Sequence, residues 1–191
     1  MDLDLYDGSY ARFCDLLGRD EASILELGCG PGNVTRRLLC QKPGWRILAT
    51  DTSPRMLELA RRASPTIETQ VVDARDLSSI EGLFDGVVCG FVLPYLAPED
   101  VRSFVEQVTT KLKPGGLMYL SFVPGDPLRS GATTTSTGHR THFHFHDGET
   151  LLGLLRRYGL AQLSSEQVRF ERSPDEAELH AIWILQRQNA D

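Results

Sequence analysis

The eight residues from Glu26 to Asn33, ELGCGPGN, constrain this chain more than any other stretch. Ser23, Ile24 and Leu25 before them read as the end of a buried strand, and VTRRLLC after them has helical spacing. A strand, a tight turn and a helix start therefore follow one another. Gly28, Gly30 and Gly32 stand at alternate positions, where they let the backbone take positive φ angles and keep Cβ atoms away from anything bound above the turn. Such a turn presents bare amides and the positive end of a helix dipole, which favour an anionic or polar group.

Spacing decides which ligand such a turn suits. In the dinucleotide fingerprint G-x-G-x-x-G the third spaced position falls here on Asn33, with Pro31 and Gly32 inserted before it, which weakens a nicotinamide reading without removing it. The phosphate-cradling G-x-x-x-x-G-K-[ST] pattern is absent. An acidic residue followed by G-x-G-x-G, as in Glu26 to Gly32, resembles motif I of the class I S-adenosylmethionine-dependent methyltransferases. The resemblance implies S-adenosyl-L-methionine held at Glu26, Gly28, Cys29, Gly30, Gly32 and Asn33. The plainer alternative is a glycine-rich turn without a ligand.

Further along, PGWRILATD reads as a turn and a short strand ending at Asp51, about 20 residues beyond the glycines, where a carboxylate can accept from both hydroxyls of a ribose. Thr52 and Ser53 follow as cap candidates with Pro54 at the first helical position, and Met56 is either core or a contact for an adenine ring. The alternating run IETQVVDARDL ends in Asp73, Ala74 and Arg75. In the resembled family an acidic residue after the third strand accepts from the adenine amino group and the next amide donates to the ring; Asp73 and Ala74 match those positions, with Asp76 the rival if the register slips. The strand LFDGVVCG then opens at Cys89, Gly90 and Phe91, whose neighbourhood the resemblance assigns to the methionyl part of the cofactor. Tyr95, just beyond, is a substrate-pocket candidate weighed against a core tyrosine.

Two less patterned segments flank these motifs. The first, residues 1–22, spaces Tyr10, Phe13, Leu16 and Leu17 as an amphipathic helix stopped by Gly18; as a lid, it would aim the hydroxyls of Tyr6 and Tyr10 at cofactor or substrate. The resemblance implies that this lid is cut short. The second, residues 124–147, is a long polar insert ending in HRTHFHFHD, in which His142, His144 and His146 share one face of an extended segment and Phe143 and Phe145 the other. Those histidines are candidates for a general base or for substrate contacts, and His139 and Arg140 for meeting a substrate anion. Spacing assigns them no further ligand, so no metal is expected.

Composition bounds the rest. At 191 residues, 41% hydrophobic, the chain suits a single domain over 1–191. Its four cysteines form no C-x-x-C pair, no run of about 18 apolar residues is present, and no secretory leader is recognisable, which together point to a cytoplasmic protein. A net charge of −6 disfavours nucleic acid and membrane surfaces and favours a small-molecule partner; oligomeric state is not legible. On the resemblance the expected fold is a three-layer, Rossmann-like α/β arrangement: a seven-stranded, mostly parallel sheet with helices on both faces and an antiparallel C-terminal hairpin. The expected reaction is in-line transfer of a methyl group to an O, N, C or S nucleophile, which needs alignment more than a dedicated nucleophile. An NAD-dependent oxidoreductase, and a methyltransferase-like module that binds the cofactor without catalysis, stand as alternatives.

Overall fold

Apolar runs bounded by glycine, proline and acidic turns become the strands of this protein. The computed structural model describes residues 4–134, 140–173 and 176–189. Strands β1 (Ser23–Leu27), β2 (Arg46–Asp51), β3 (Glu68–Val71), β4 (Phe84–Gly90) and β5 (Leu112–Phe122) pair in parallel in the order β3-β2-β1-β4-β5. The expected C-terminal hairpin extends that sheet to seven strands: β9 (Glu176–Arg187) runs antiparallel beside β5, and β8 (Leu160–Ser173) pairs with β9 at the edge. A separate two-stranded hairpin, β6 (Gly131–Thr134) with β7 (Arg140–Phe143), arises from the polar insert.

Alternation along the strands divides the core in two. Ile24, Val88, Tyr119 and Ile184 point to the face covered by α1 (Asp7–Leu17), α2 (Asn33–Gln41) and α3 (Pro54–Ala63), where Tyr10, Phe13, Leu38 and Leu57 are buried. Leu25, Val87, Met118 and Trp183 point the other way, to α4 (Pro98–Lys111) and α5 (Gly148–Arg157), whose Phe104, Val108, Leu151 and Leu155 are buried. The local signals are made good: α1 stops at Gly18 in a left-handed conformation, and the Ser53 hydroxyl caps α3 with Pro54 in its first turn. No helix among the described residues is long and apolar enough to cross a membrane.

LKPGG, residues 112–116, is not a separate turn, because α4 ends at Lys111 and Leu112 already pairs with Phe84 as the start of β5. The connection from β3 to β4 contains no helix. Asp73 and Asp76 accept from the backbone amides two residues ahead, at Arg75 and Ser78, so the backbone is turned by side chains instead of coiling. Leu77 and Ile80 plug this connection into the core, and Gln107 of α4 accepts from the Leu77 amide and donates to the Arg75 carbonyl.

One buried carboxylate ties the sheet together at the end of its strands where β4 begins. Asp85 accepts from the amide and hydroxyl of Ser23 at 2.9 Å each, from Lys113 at 2.9 Å and from Arg19 at 3.1 Å. Burial pushes its carboxyl upward, but the Ser23 and Lys113 hydrogen bonds outweigh this and hold it down at about 2. Asp85 therefore contributes stability that is complete above pH 3.8 and is lost as the pH falls through about 2. Asp85→Asn should lower stability near pH 7 by about 2 kcal/mol and flatten that acid limb, as followed by urea unfolding at a series of pH values.

Candidate functional site

At the opposite end of the sheet the chain leaves β1, β2, β3 and β4 in adjacent loops that enclose a cavity of about 670 Å³. Ligands of open α/β sheets bind at this carboxyl edge. Its floor is the glycine turn, with Gly28, Gly30 and Gly32 at φ values of 65°, 54° and 84°. Each glycine answers a different need. A Cβ on Gly28 would meet Val92 at 3.0 Å, and one on Gly32 would meet the Cα of Ala60 in α3 at 3.0 Å. Gly30 meets nothing within 4 Å, so its bare backbone faces open space.

Hydrogen bonds fix the turn against β2. The Cys29 amide donates to the Thr50 carbonyl at 2.8 Å and the Gly30 amide to Oδ2 of Asp51 at 2.9 Å, while Oδ1 of Asp51 accepts from the Ser53 amide at 2.8 Å. Each Asp51 oxygen thus keeps a further lone pair at the cleft. At the β3 end, Arg75 folds back on Asp73 through both its backbone amide and its guanidinium, and that pairing holds the Asp73 carboxyl below the usual range. At the β4 end, Phe91 has φ 55°, the one positive value among described residues other than glycine. A bulky residue there carries strain on the order of 1–3 kcal/mol. The Phe91 amide donates to both the carbonyl and the hydroxyl oxygen of Ser121 at 3.1 Å.

Of the sequence-derived cofactor residues, Gly28, Cys29, Gly30, Asn33, Asp51, Thr52, Met56, Asp73, Ala74, Arg75, Gly90 and Phe91 line this one cleft. Three do not. Gly32 is consumed by the contact with α3, and Cys89 is fully buried because β4 alternation sends its side chain into the core beneath α4 and α5. Glu26 lies under the turn at 2% exposure, accepting from the Thr35 hydroxyl of α2 at 2.5 Å. Lining residues that the motifs did not single out, Val34, Val72, Val92 and Leu96, are apolar and carry no chemical signature.

The substrate-side candidates divide more sharply. Tyr10 and Tyr95 line the cleft, Tyr95 at 57% exposure. Tyr6 does not, because it is buried with its hydroxyl on Nδ1 of His180 at 2.7 Å. Arg140 is exposed on β7 and outside the lining, and His139 lies outside the described residues. The three imidazoles do follow one another, with ring centroids 4.4 Å apart from His142 to His144 and 6.5 Å from His144 to His146. None of them reaches the cleft lining. Instead the His144 amide donates to the Pro94 carbonyl and Nε2–H of His146 donates to the Leu93 carbonyl, so the row braces the short 3-10 turn Leu93–Tyr95 from behind. Burial lowers the pKa of both His144 and His146. Among the described residues no group of three or more His, Cys, Asp or Glu is placed to hold a metal.

Burial raises the Glu26 carboxyl from 4.5 to about 7, with Thr35 hydrogen bonds opposing the shift. A raised pKa favours the folded state fully below pH 4.5, and that contribution is lost as the pH climbs through about 7. Stability should therefore decline by ~3 kcal/mol over this interval on account of Glu26 alone. Glu26→Gln should remove that slope in urea unfolding measured at a series of pH values.

Comparison with known proteins agrees with this geometry. Residues 24–116 match the family model described as a methyltransferase domain. A trans-aconitate 2-methyltransferase of Azoarcus sp. (strain BH72) is 33% identical over 124 residues, covering 59% of this chain and 48% of that protein. The chain thus spans about half the length of the curated relatives it matches. Among solved structures, an S-adenosylmethionine-dependent methyltransferase of Methanosarcina mazei superposes with a TM-score of 0.77 at 20% identity, covering 90% of this chain and 95% of the other. The 1,6-didemethyltoxoflavin-N1-methyltransferase of Burkholderia thailandensis, solved with 1,6-didemethyltoxoflavin and S-adenosylhomocysteine, superposes with a TM-score of 0.74 at 22% identity over 98% of this chain and 80% of its own. At such identities the structural likeness concerns the fold. Taken with the domain match over residues 24–116 and the cleft, these findings support a class I S-adenosylmethionine-dependent methyltransferase.

Proposed function

We propose that this chain binds S-adenosyl-L-methionine in the cleft and passes its methyl group to a small-molecule acceptor, releasing S-adenosyl-L-homocysteine. The observation that carries the reading is the convergence of the glycine turn, Asp51 and Asp73 around a single cavity at the ends of three adjacent parallel strands. The residues present fit that molecule. Gly30 leaves backbone open where a Cβ would stand, the Asp51 oxygens retain lone pairs for two ribose hydroxyls, and Asp73 with the Ala74 amide suits the polar edge of a purine. Met56 and Val72 supply apolar contact for its ring.

When bound, the cofactor supplies a methyl group already activated on a sulfonium. The chain's own work is then to hold donor and acceptor in line and to keep water out. Residues 1–22 and 124–147 are the acceptor-side portions of one domain in this reading, with Tyr10 and Tyr95 nearest the chemistry. The negative net charge favours a small-molecule acceptor over nucleic acid, and four cysteines without a C-x-x-C pair support a cytoplasmic setting. The trans-aconitate and toxoflavin relatives, which take small acceptors by name, support the same class.

Thermal unfolding discriminates this from the oxidoreductase alternative: S-adenosylmethionine or S-adenosylhomocysteine should raise the midpoint in a concentration-dependent way, and NADH should leave it unmoved. Protection by NADH alone would reverse the assignment. Asp51→Ala should weaken S-adenosylhomocysteine on the order of 100-fold by calorimetry, since two hydrogen bonds to a charged group are lost. An unchanged affinity would remove Asp51 from the site.

A further inference from the structure

We propose that the acceptor end of the cleft is a platform for a flat, uncharged nitrogen heterocycle, with Phe91 as its specificity-determining ring and Tyr6 and His180 as positioning residues behind it; this rests on the cofactor reading above. Strand order orients the cleft. Asp73 after β3, Asp51 at the end of β2 and the glycine turn after β1 occupy one half, so the methyl-bearing end falls toward β4. There the lining is Tyr10, Phe91, Val92, Tyr95 and Leu96, three aromatic rings and two aliphatic side chains.

Phe91 is held in place with unusual care. Its strained backbone is pinned to Ser121, and its ring meets Tyr6 and His180 edge to face, with centroids 5.5 and 4.8 Å away. Behind it runs a chain of buried polar groups. Nε2 of His180 is 3.1 Å from a carboxylate oxygen of Glu178, which can only accept, so Nε2 carries the proton and Nδ1 accepts from the Tyr6 hydroxyl at 2.7 Å. Phe170 stacks on the same imidazole at 5.0 Å. A fully satisfied polar chain of this kind fixes one arrangement where an apolar filling would allow several. The result is a ring with a defined plane at the cleft wall.

Charge and acid–base chemistry narrow what that wall receives. Among the described lining residues the sole cation is Arg75, committed to Asp73 at the far end, while Asp51 and Asp73 add negative charge. A polycarboxylate therefore meets repulsion from these two carboxylates and finds no free counter-charge among the described lining residues. At the acceptor end the described lining offers neither imidazole nor carboxylate as a base, and burial pushes the Cys29 thiol up. A nucleophile whose lone pair is free at neutral pH needs no base. Its ring nitrogen forms the N–C bond as the S–C pair returns to sulfur, so the positive charge passes from sulfur to the ring and no proton has to leave. Aromatic faces favour a cation developing beside them.

Calorimetry on protein saturated with S-adenosylhomocysteine tests this, using quinoline and trans-aconitate as probes. Quinoline should bind, at least tenfold more weakly in Phe91→Ala, about threefold more weakly in Tyr6→Phe, and as in the parent in Phe91→Tyr; trans-aconitate should give no heat. S-adenosylhomocysteine affinity should change less than threefold in Tyr6→Phe, which also certifies its folding; a far-ultraviolet circular dichroism spectrum like the parent's certifies the two Phe91 variants, and Tyr6→Phe is decisive if Phe91→Ala does not fold. With labelled S-adenosylmethionine, formation of N-methylquinolinium would be further support. Tighter binding of trans-aconitate than of quinoline, no quinoline heat, or quinoline affinity indifferent to Phe91 and Tyr6 would overturn the proposal. If the parent protein takes up no S-adenosylhomocysteine, the failure lies in the cofactor reading beneath it.

Discussion

The bond from the Gly30 amide to the Asp51 carboxylate is what the site is built on. It joins a turn that could adopt many shapes to the end of a strand that has one, because β2 is fixed on both sides by β1 and β3. The same carboxylate starts α3 through the Ser53 amide, and α3 in turn touches Gly32 so closely that no side chain fits between them. Turn, strand end and two helices are thereby positioned by a few contacts within one chain neighbourhood. Beneath them Glu26 and Thr35 satisfy each other, so a buried acid supports the turn without entering the cavity.

The sequence announced the half of the cleft made of backbone and carboxylates far better than the half made of side-chain surfaces. Glycines with positive φ and acids at strand ends are forced by local geometry, and their spacing survives as a pattern. Asp51 and Asp73 were legible for that reason. Glu26 and Cys89 lie away from the cavity because motif membership says nothing about which way a strand residue points, and alternation or burial removes both from the lining. The histidine row shows the opposite case. Its alternation was visible and the rings do share a face, yet the distance to the cleft depends on how the β6–β7 hairpin docks on Leu93 and Pro94, a tertiary matter. Tyr6 belongs with it, since nothing local links a residue at the start of the chain to His180.

The two buried carboxylates also illustrate how surroundings assign different tasks to one chemical group. Asp85 is met by two amino-acid cations and a serine, which keep it charged as a junction between strands. Glu26 has a single hydroxyl donor, and burial raises it to about 7. One acid of the sheet is thus a charged junction at the end away from the cavity, and the other, under the turn, takes up a proton far more readily than an exposed carboxylate.

Tyr6 and His180 are 174 positions apart in sequence and share a hydrogen bond. Contacts of such long separation close late, after the loop entropy between them has been overcome. A ribosome-bound chain that has laid down β1 to β5 already owns the glycine turn and Asp51, but it lacks the strand that carries His180. The half of the cleft built on the glycine turn and Asp51 is thus laid down, in the order of synthesis, before the strand that backs the aromatic wall at Phe91.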